Sequence, residues 1–455
     1  MLTIRLPERR NHRLGLTALT GATGVLCFAP FALFWLALPV WGLFFALLRR
    51  AETRREATLT GLSFGLGFFL TGVSWVYVSL SVCGGMPWWL AGVAAFLFCC
   101  VLALFPMLAG WAFKRWQPES FWQQALYFAA LLGVHGLSLL VTLSGALLLT
   151  CWRLGLFVVA TLAIGGFGLQ QVDWTPPVGE PISVALVQGN VPQEMKFRPE
   201  AFIRTLDLYR ELIRQNPAQL TVLPETAIPL FLDQIPGDYL DELKALAQRQ
   251  NGDLIVGTLT GDGERYFNSA VSLGAAPMQV YSKSHLVPFG EFIPAGFAWF
   301  MAYANIPMSS FARGPEVQTP FVVAGQNVAA NICYEDVFGE EIIRALPQAG
   351  ILANLSNTAW FGHSLAQPQH LQIAQMRAAE TGRPMLRATN TGMTAIINAD
   401  GKVQAVLEPF ATGVLNGEIR AHEGVTPYVC FGNGLALGLM LLFGLLGLAL
   451  KRPVR

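Results

Sequence analysis

Apolar residues fill the chain in blocks at 14–29, 31–48, 59–81, 88–113, 121–150 and 154–172, and a last block closes it at 427–450. A helix that crosses a bilayer needs about 20 apolar residues, so the blocks predict an α-helical transmembrane bundle over 1–173 and a closing transmembrane helix at 427–450. The first two blocks are short and share Pro30 as their turn. The block at 121–150 is too long for one upright helix and too short for two full ones, with Gly133, His135 and Gly136 near its middle. It reads as a tilted helix or a broken pair, and His135 as a packing histidine.

Between 181 and 421 the pattern is that of an α/β domain, and 22 of the 29 acidic residues lie there. β-Branched and aliphatic runs predict strands at 182–188, 220–224, 253–257, 267–273, 279–282, 327–332, 350–355, 385–388 and 394–398. Helical spacing appears at 201–215, 239–250 and 369–381. The strands assemble into a mixed sheet with helices on its faces. In such folds the chemistry gathers where strands end, and Glu225 and Cys333 each follow one.

Composition agrees with the pattern. Of 455 residues 53% are hydrophobic and 13% charged, with a mean hydropathy of +0.46, which makes the chain an integral membrane protein rather than a soluble one. A net charge of +1 offers no basic stripe for phosphate backbones and excludes nucleic acid as a partner. Six scattered histidines show no metal-ligand spacing, and no glycine-rich loop could cradle a phosphate, so no cofactor is expected. Cys27, Cys83, Cys99, Cys100, Cys151 and Cys430 lie in or beside apolar blocks. Cys333 is alone in the polar part, where no disulfide can form.

The distribution of basic residues gives an orientation. Arg5, Arg9, Arg10 and Arg13 precede the first block, which runs into the second without a convincing cleavage site, so the N-terminus is expected to act as an anchor. Arg49, Arg50, Arg54, Arg55, Lys114 and Arg115 mark cytoplasmic loops, whereas the loop at 81–86 is uncharged. Lys451, Arg452 and Arg455 put the tail in the cytoplasm too and the 181–421 domain on the outer face. Six crossings would return the chain to the cytoplasm, so something within 121–172 departs from a simple count.

The polar domain holds three groups suited to acyl transfer. The thiol of Cys333 attacks an acyl carbon only as thiolate and needs a base. Glu225 can take the proton, and Lys283 can stabilise the oxyanion, helped by a main-chain N–H after the cysteine. The segment 292–311 that follows is apolar, with Phe297, Trp299, Phe300, Met301, Tyr303 and Met308. A soluble enzyme rarely exposes such a loop, and it is expected to dip into the outer leaflet as an arm. Trp75, Tyr77, Trp88 and Trp89 fit an aromatic belt at the interface.

Longer runs surround these groups. They are Val-Gln-Gly-Asn-Val-Pro-Gln at 187–193, Pro-Glu-Thr at 224–226, Tyr-Ser-Lys-Ser-His-Leu-Val-Pro-Phe-Gly-Glu at 281–291 and Ile-Cys-Tyr-Glu at 332–335. Asn-Leu-Ser-Asn at 354–357, Trp-Phe-Gly at 360–362, Gln-His at 369–370, Arg-Ala-Ala-Glu at 377–380 and Arg-Ala-Thr-Asn-Thr-Gly at 387–392 extend them. From 182 to 420 the chain thereby resembles the nitrilase-like domain of bacterial apolipoprotein N-acyltransferases, within the carbon-nitrogen hydrolase superfamily. The resemblance implies an αββα sandwich and a ping-pong reaction. An acyl chain would pass from a phospholipid to Cys333 as a thioester, and then to the α-amino group of the diacylglyceryl-cysteine that begins an apolipoprotein. It implies Glu225 as base, Lys283 as oxyanion stabiliser and Cys333 as nucleophile. Glu291, Tyr334, Glu335 and Phe197 would shape or support the pocket, with Asn268 and Arg387 positioning loops. It further implies a multi-pass protein of the bacterial inner membrane, working as a monomer with its catalytic domain on the periplasmic side.

Some positions depart from that family. Phe197 stands where many members carry Trp, and Thr358 and His363 where many carry Asp. Members usually have seven helices before the domain and a Gly-Phe-Pro-Trp stretch; the chain lacks both, as if shortened between about 117 and 132. Two other readings use the same residues: a membrane-tethered nitrilase-type amidase with water as acceptor, and a catalytically idle variant.

Overall fold

The computed structural model describes residues 6–116, 120–132, 136–193, 195–196, 198–294, 296 and 310–449. His135, Phe197, the aromatic part of the arm and the tail residues Lys451, Arg452 and Arg455 lie outside the described residues. The chain forms two compact units, one of residues 1–77, 87–173 and 433–455 and the other of 78–86 and 174–432.

The first unit is helical: Arg10–Thr23, Ala37–Arg50, Arg54–Gly72, Trp88–Arg115, Phe121–Leu132, Gly136–Thr150, Trp152–Leu169 and Gly434–Ala449. Thr53 caps the third of these by accepting from the Glu56 N–H at 3.2 Å, and the Glu56 carboxylate pairs with Arg13. Helices Arg54–Gly72 and Trp88–Arg115 approach so closely that a Cβ on Gly61 would run into the carbonyl of Pro106. Small residues permit such backbone contact where water supplies no driving force. Beside them Phe44, Phe45, Phe64, Phe113 and Phe128 pack together, with the Phe44 and Phe64 rings stacked at 3.9 Å.

The block at 121–150 is the broken pair and not the tilted helix. Helices Phe121–Leu132 and Gly136–Thr150 fold back on each other, with Ala125 and Phe128 of one in the same cluster as Ala146 and Leu147 of the other. Among the described residues Trp88–Arg115 and Trp152–Leu169 are long and apolar enough to cross a bilayer, and Arg54–Gly72 with Val76–Cys83 is a third if that bent pair counts as one span. The block at 427–450 is also divided, into Pro427–Phe431 and Gly434–Ala449.

In the second unit the strands form two sheets instead of the single mixed sheet suggested by their order along the chain. One carries β1 (Pro177–Gln188), β2 (Leu220–Val222), β3 (Asp253–Gly261), β4 (Tyr266–Gly274), β5 (Val280–Ser282) and β12 (Gly413–His422), in the order β12-β1-β2-β3-β4-β5. The other carries β6 (Phe321–Val323), β7 (Gln326–Ile332), β8 (Ile351–Ser356), β9 (Met385–Thr389), β10 (Ala395–Ile397) and β11 (Val403–Val406), in the order β11-β10-β9-β8-β7-β6. The central pairs β1–β2, β2–β3, β7–β8 and β8–β9 are parallel and the outer pairs antiparallel.

Alternation along each strand explains the layers. In β3, Ile255 joins Val184, Leu186, Val222, Ile332, Leu355 and Leu386 in the core between the sheets. Its neighbours Leu254 and Val256 face the other way, against Leu206, Tyr209 and Ile213 of helix Pro199–Gln215 and Leu243 of helix Gly237–Gln248. On the outer face of the second sheet Leu352, Met385 and Ile397 pack on Leu371, Ala374 and Ala378 of helix Ala366–Thr381. The result is helix, sheet, sheet, helix.

Candidate active site

β2, β5 and β7 each end at one of the three candidate groups. Glu225 follows β2 after Leu223 and Pro224, Lys283 follows β5 directly, and Cys333 follows β7 and opens a 3₁₀ turn, Cys333–Val337. Cys333 has φ of +56° and Thr226, next to Glu225, +46°. This left-handed conformation is strained for residues other than glycine and tends to occur at functional sites. β3 lies against the Glu225 turn because Gly257 has no side chain; a Cβ there would meet the carbonyl of Pro224 and the Cα of Glu225.

Two carboxylates and an amide surround one ammonium. Lys283 Nζ lies 2.9 Å from Glu291 Oε1 and 3.4 Å from Glu225 Oε1, and is only 1% exposed. Asn268 Nδ2 donates to the same two oxygens, at 2.8 Å to Glu225 and 2.9 Å to Glu291. The second oxygen of Glu291 accepts from the Val287 N–H at 2.9 Å. Besides burial, the Glu225 carboxylate and the Asn357 N–H act on the Cys333 thiol electrostatically, the first raising and the second lowering its pKa.

Burial, the largest influence on Glu225, pushes its carboxyl up, but Lys283, Lys196 and Asn268 together bring it below the ordinary value. Burial alone would lower Lys283; Glu291 and Glu225 reverse this and hold it well above its usual value. Burial, reinforced by Glu225, pushes the Cys333 thiol up to about 12. The resting site is therefore a neutral thiol beside an ionised carboxylate and an ammonium. Cys333 remains partly exposed and can meet a substrate.

Glu335 ties the Lys283 loop to the Cys333 turn. Its Oε1 accepts from the N–H groups of Ser284 at 2.7 Å and His285 at 3.0 Å. Its Oε2 accepts from the Ile332 N–H at 2.7 Å and the Tyr281 hydroxyl at 2.8 Å. Tyr334 is half-buried, with its ring edge-on to His285 and Phe338. Arg387 lies behind the turn and donates to Asp336 Oδ2 at 3.0 Å and Asn354 Oδ1 at 2.8 Å; Asn354 in turn donates to the Cys333 carbonyl at 2.9 Å. His370 Nε2 sits 2.9 Å from the other Asp336 oxygen.

At the neck of the apolar segment the Phe311 N–H donates to the Glu291 carbonyl at 2.9 Å, so the chain leaves and returns beside the residue that pairs with Lys283. Thr358 donates to Gln367 at 2.7 Å, and His363 stacks on Phe410 at 3.8 Å. Segment Val78–Met86 belongs to this unit, and Ser79 Oγ donates to the Trp360 carbonyl at 2.8 Å.

Comparison with known proteins agrees with this arrangement. The carbon-nitrogen hydrolase family model matches residues 183–426 and that of the apolipoprotein N-acyltransferase N-terminal domain matches 20–135. The apolipoprotein N-acyltransferase of Nitrosomonas europaea is 45% identical, with 93% of the chain and 95% of the relative covered. The chain belongs to the apolipoprotein N-acyltransferase family. Members from Ralstonia nicotianae and Chromobacterium violaceum are 41% and 42% identical over 96% and 94% of the chain, with 93% and 92% of each relative covered. The alignment to the Nitrosomonas member spans 476 positions, more than the 455 residues of the chain, so that member has residues the chain lacks. Its membership makes the chain an acyltransferase, with a nitrilase-like catalytic fold.

Apart from Phe197, the structure places every site residue expected from the sequence. Glu225, Lys283, Glu291 and Asn268 form one cluster against Cys333, Glu335 bridges two of the loops, and Arg387 acts at one remove. Asn268 touches Glu225 directly, closer to the chemistry than a loop-positioning role implies. Sequence reasoning missed Lys196, Asp336 and the N–H of Asn357. Asn357 closes the quoted Asn-Leu-Ser-Asn run, which was its only signal; Lys196 follows the Val-Pro-Gln run by three positions and carries no periodic pattern.

Proposed function

We propose that the chain transfers an acyl group from a phospholipid, through a thioester on Cys333, to the α-amino group of a diacylglyceryl-cysteine at the start of an apolipoprotein. The observation that carries this is the joint hold of Lys283 and Asn268 on Glu225 beside the Cys333 thiol. Because the thiol is neutral at rest, Glu225 removes its proton as sulfur attacks the ester carbonyl. The negative charge then moves from Glu225 to the carbonyl oxygen, where Lys283 and the main-chain N–H after Cys333 stabilise it. Collapse breaks the ester bond, and Glu225 returns its proton to the departing lysophospholipid alkoxide. In the second half the amine attacks the thioester, an amide forms, its proton passes to Glu225, and the thiol is regenerated. Glu291 and Asn268 hold Lys283 and Glu225 in register, and Tyr334 lines the approach.

In this reading residues 1–173 are the membrane bundle, 181–421 the catalytic domain and 427–450 the closing helix of a multi-pass inner-membrane protein. The catalytic domain faces the periplasm. Division of 121–150 into two helices supports that side, because seven helices of twelve or more residues then precede residue 173 among the described residues. If each crosses, the odd number agrees with the basic loops. Helices of 12 and 15 residues span only about 18–22 Å, so the bilayer would thin around them. Each chain carries the full set of groups, and the reading requires no second copy.

The test is transfer of a labelled acyl chain from phospholipid to a diacylated lipopeptide by the purified protein in micelles. Transfer that Cys333→Ser abolishes is expected. Release of free fatty acid without transfer would instead make water the acceptor.

A further inference from the structure

Lys196 is a buried charge beside the site that has no part in those steps. It lies in the turn between β1 and helix Pro199–Gln215 and is 5% exposed. Its Nζ donates to the main-chain carbonyl of Glu225 at 2.9 Å. Its charge is felt by the Glu225 carboxylate and by Cys333; Lys283 and Glu291 are the other charged groups there. A carbonyl could be satisfied by any neutral donor, whereas enclosing an ammonium is costly unless opposite charge faces it. What the lysine alone adds is a second positive charge at the candidate base. Burial lowers its pKa to about 8, with Glu225 and Cys333 pulling back upward.

We infer that Lys196 is a positioning residue of the acyl-transfer site, which holds the Glu225 main chain by its hydrogen bond and keeps the Glu225 carboxylate charged so that it can take the Cys333 proton. The inference rests on Glu225 being the base. Without Lys196, burial would protonate Glu225 at higher pH and the acid limb of the acylation rate would move up. Above the point where Lys196 loses its own proton, the wild-type rate should show a second inflection.

The experiment follows single-turnover thioester formation on Cys333 of the full-length protein from a labelled phospholipid, as a function of pH. Lys196→Gln keeps a donor for the carbonyl and removes the charge; its acid limb should rise by about one pH unit, with a slower rate at neutral pH. Lys196→Arg keeps the charge at all accessible pH and should lose the inflection near 8 while retaining the wild-type acid limb. A Lys196→Gln protein with the wild-type rate and acid limb would overturn the inference. If that variant does not fold, an inflection near 8 that persists in Lys196→Arg overturns it equally. Glu225→Gln run in parallel separates the two claims: acylation that survives there removes the base assignment, whereas its loss alongside an unchanged Lys196→Gln removes only the role of Lys196.

Discussion

Replacing Glu335 by glutamine tests whether the loops of the site are held by one carboxylate. The side chain keeps its shape but can accept through only one atom. If the amide oxygen takes the Oε1 position, Ser284 and His285 keep their acceptor, and the NH₂ group confronts the Ile332 N–H, which stands 2.7 Å from Oε2 in the native protein. The opposite rotamer strands two N–H groups instead of one. A buried donor left unpaired costs about 1–3 kcal/mol, and loss of charge assistance on the two remaining bonds adds about 1 kcal/mol each. The cheaper rotamer therefore costs about 3–5 kcal/mol, concentrated where β7 ends and the Lys283 loop begins. Hydrogen exchange read on peptides covering 281–286 and 330–337 should show faster exchange of the Ile332 amide. Acyl transfer should fall by about a hundredfold, as displacement of a nucleophile by about 1 Å does. Native protection of these amides with a wild-type rate would refute the claim that Glu335 joins the two loops.

Other outcomes follow from the same geometry. Arg387→Met leaves the fully buried Asp336 carboxylate with His370 alone and should destabilise the catalytic unit by about 3–5 kcal/mol, seen as a lower melting temperature; an unchanged melt would contradict the network. Lys283→Met removes the charge shared by Glu225 and Glu291 and should abolish thioester formation, measured with labelled phospholipid. Because the Cys333 thiol is raised to about 12 from 9.0, its alkylation by iodoacetamide, followed on its own tryptic peptide, should keep rising above pH 9; a plateau near neutrality would contradict a neutral resting thiol. The raised value also means that the stability Cys333 contributes is present below its unfolded value of 9.0 and is lost as pH climbs toward 12. Glu225 behaves oppositely. Its lowered folded value makes a contribution that is present above its unfolded 4.5 and lost as pH falls through the folded value, so acid melts of Glu225→Gln should be flatter than those of the native protein.

What could be read from the sequence follows from how much signal each element carries. β1, β2, β3 and β8 are apolar runs buried on both faces, which announce themselves as strands but give no sign of their sheet partners. The division into two sheets was therefore visible only in the family resemblance. β6 and β11 are edge strands of three and four residues, too short for a period. β12 carries Asn416, Glu418 and Arg420 on its exposed face, so no apolar run marks it. The break at 121–150 was legible as an anomaly of length, and packing of Phe128 against Ala146 decided between its two forms. Glu225, Lys283 and Cys333 could be found because each follows a strand and sits in a run shared with the family, three and four residues long around Glu225 and Cys333 and eleven around Lys283. Lys196 could not, since nothing in a loop sequence tells a buried lysine from a solvated one.

The central claim is an acyl chain covalently held on Cys333. The purified full-length protein, incubated with phospholipid and no acceptor, should gain the mass of one acyl group on the peptide containing Cys333. Hydroxylamine should remove that mass, and adding a diacylated lipopeptide should move it to the peptide's α-amino group. An acyl group that appears on the lipopeptide while Cys333 never carries one, or that still transfers in Cys333→Ser, would contradict the account.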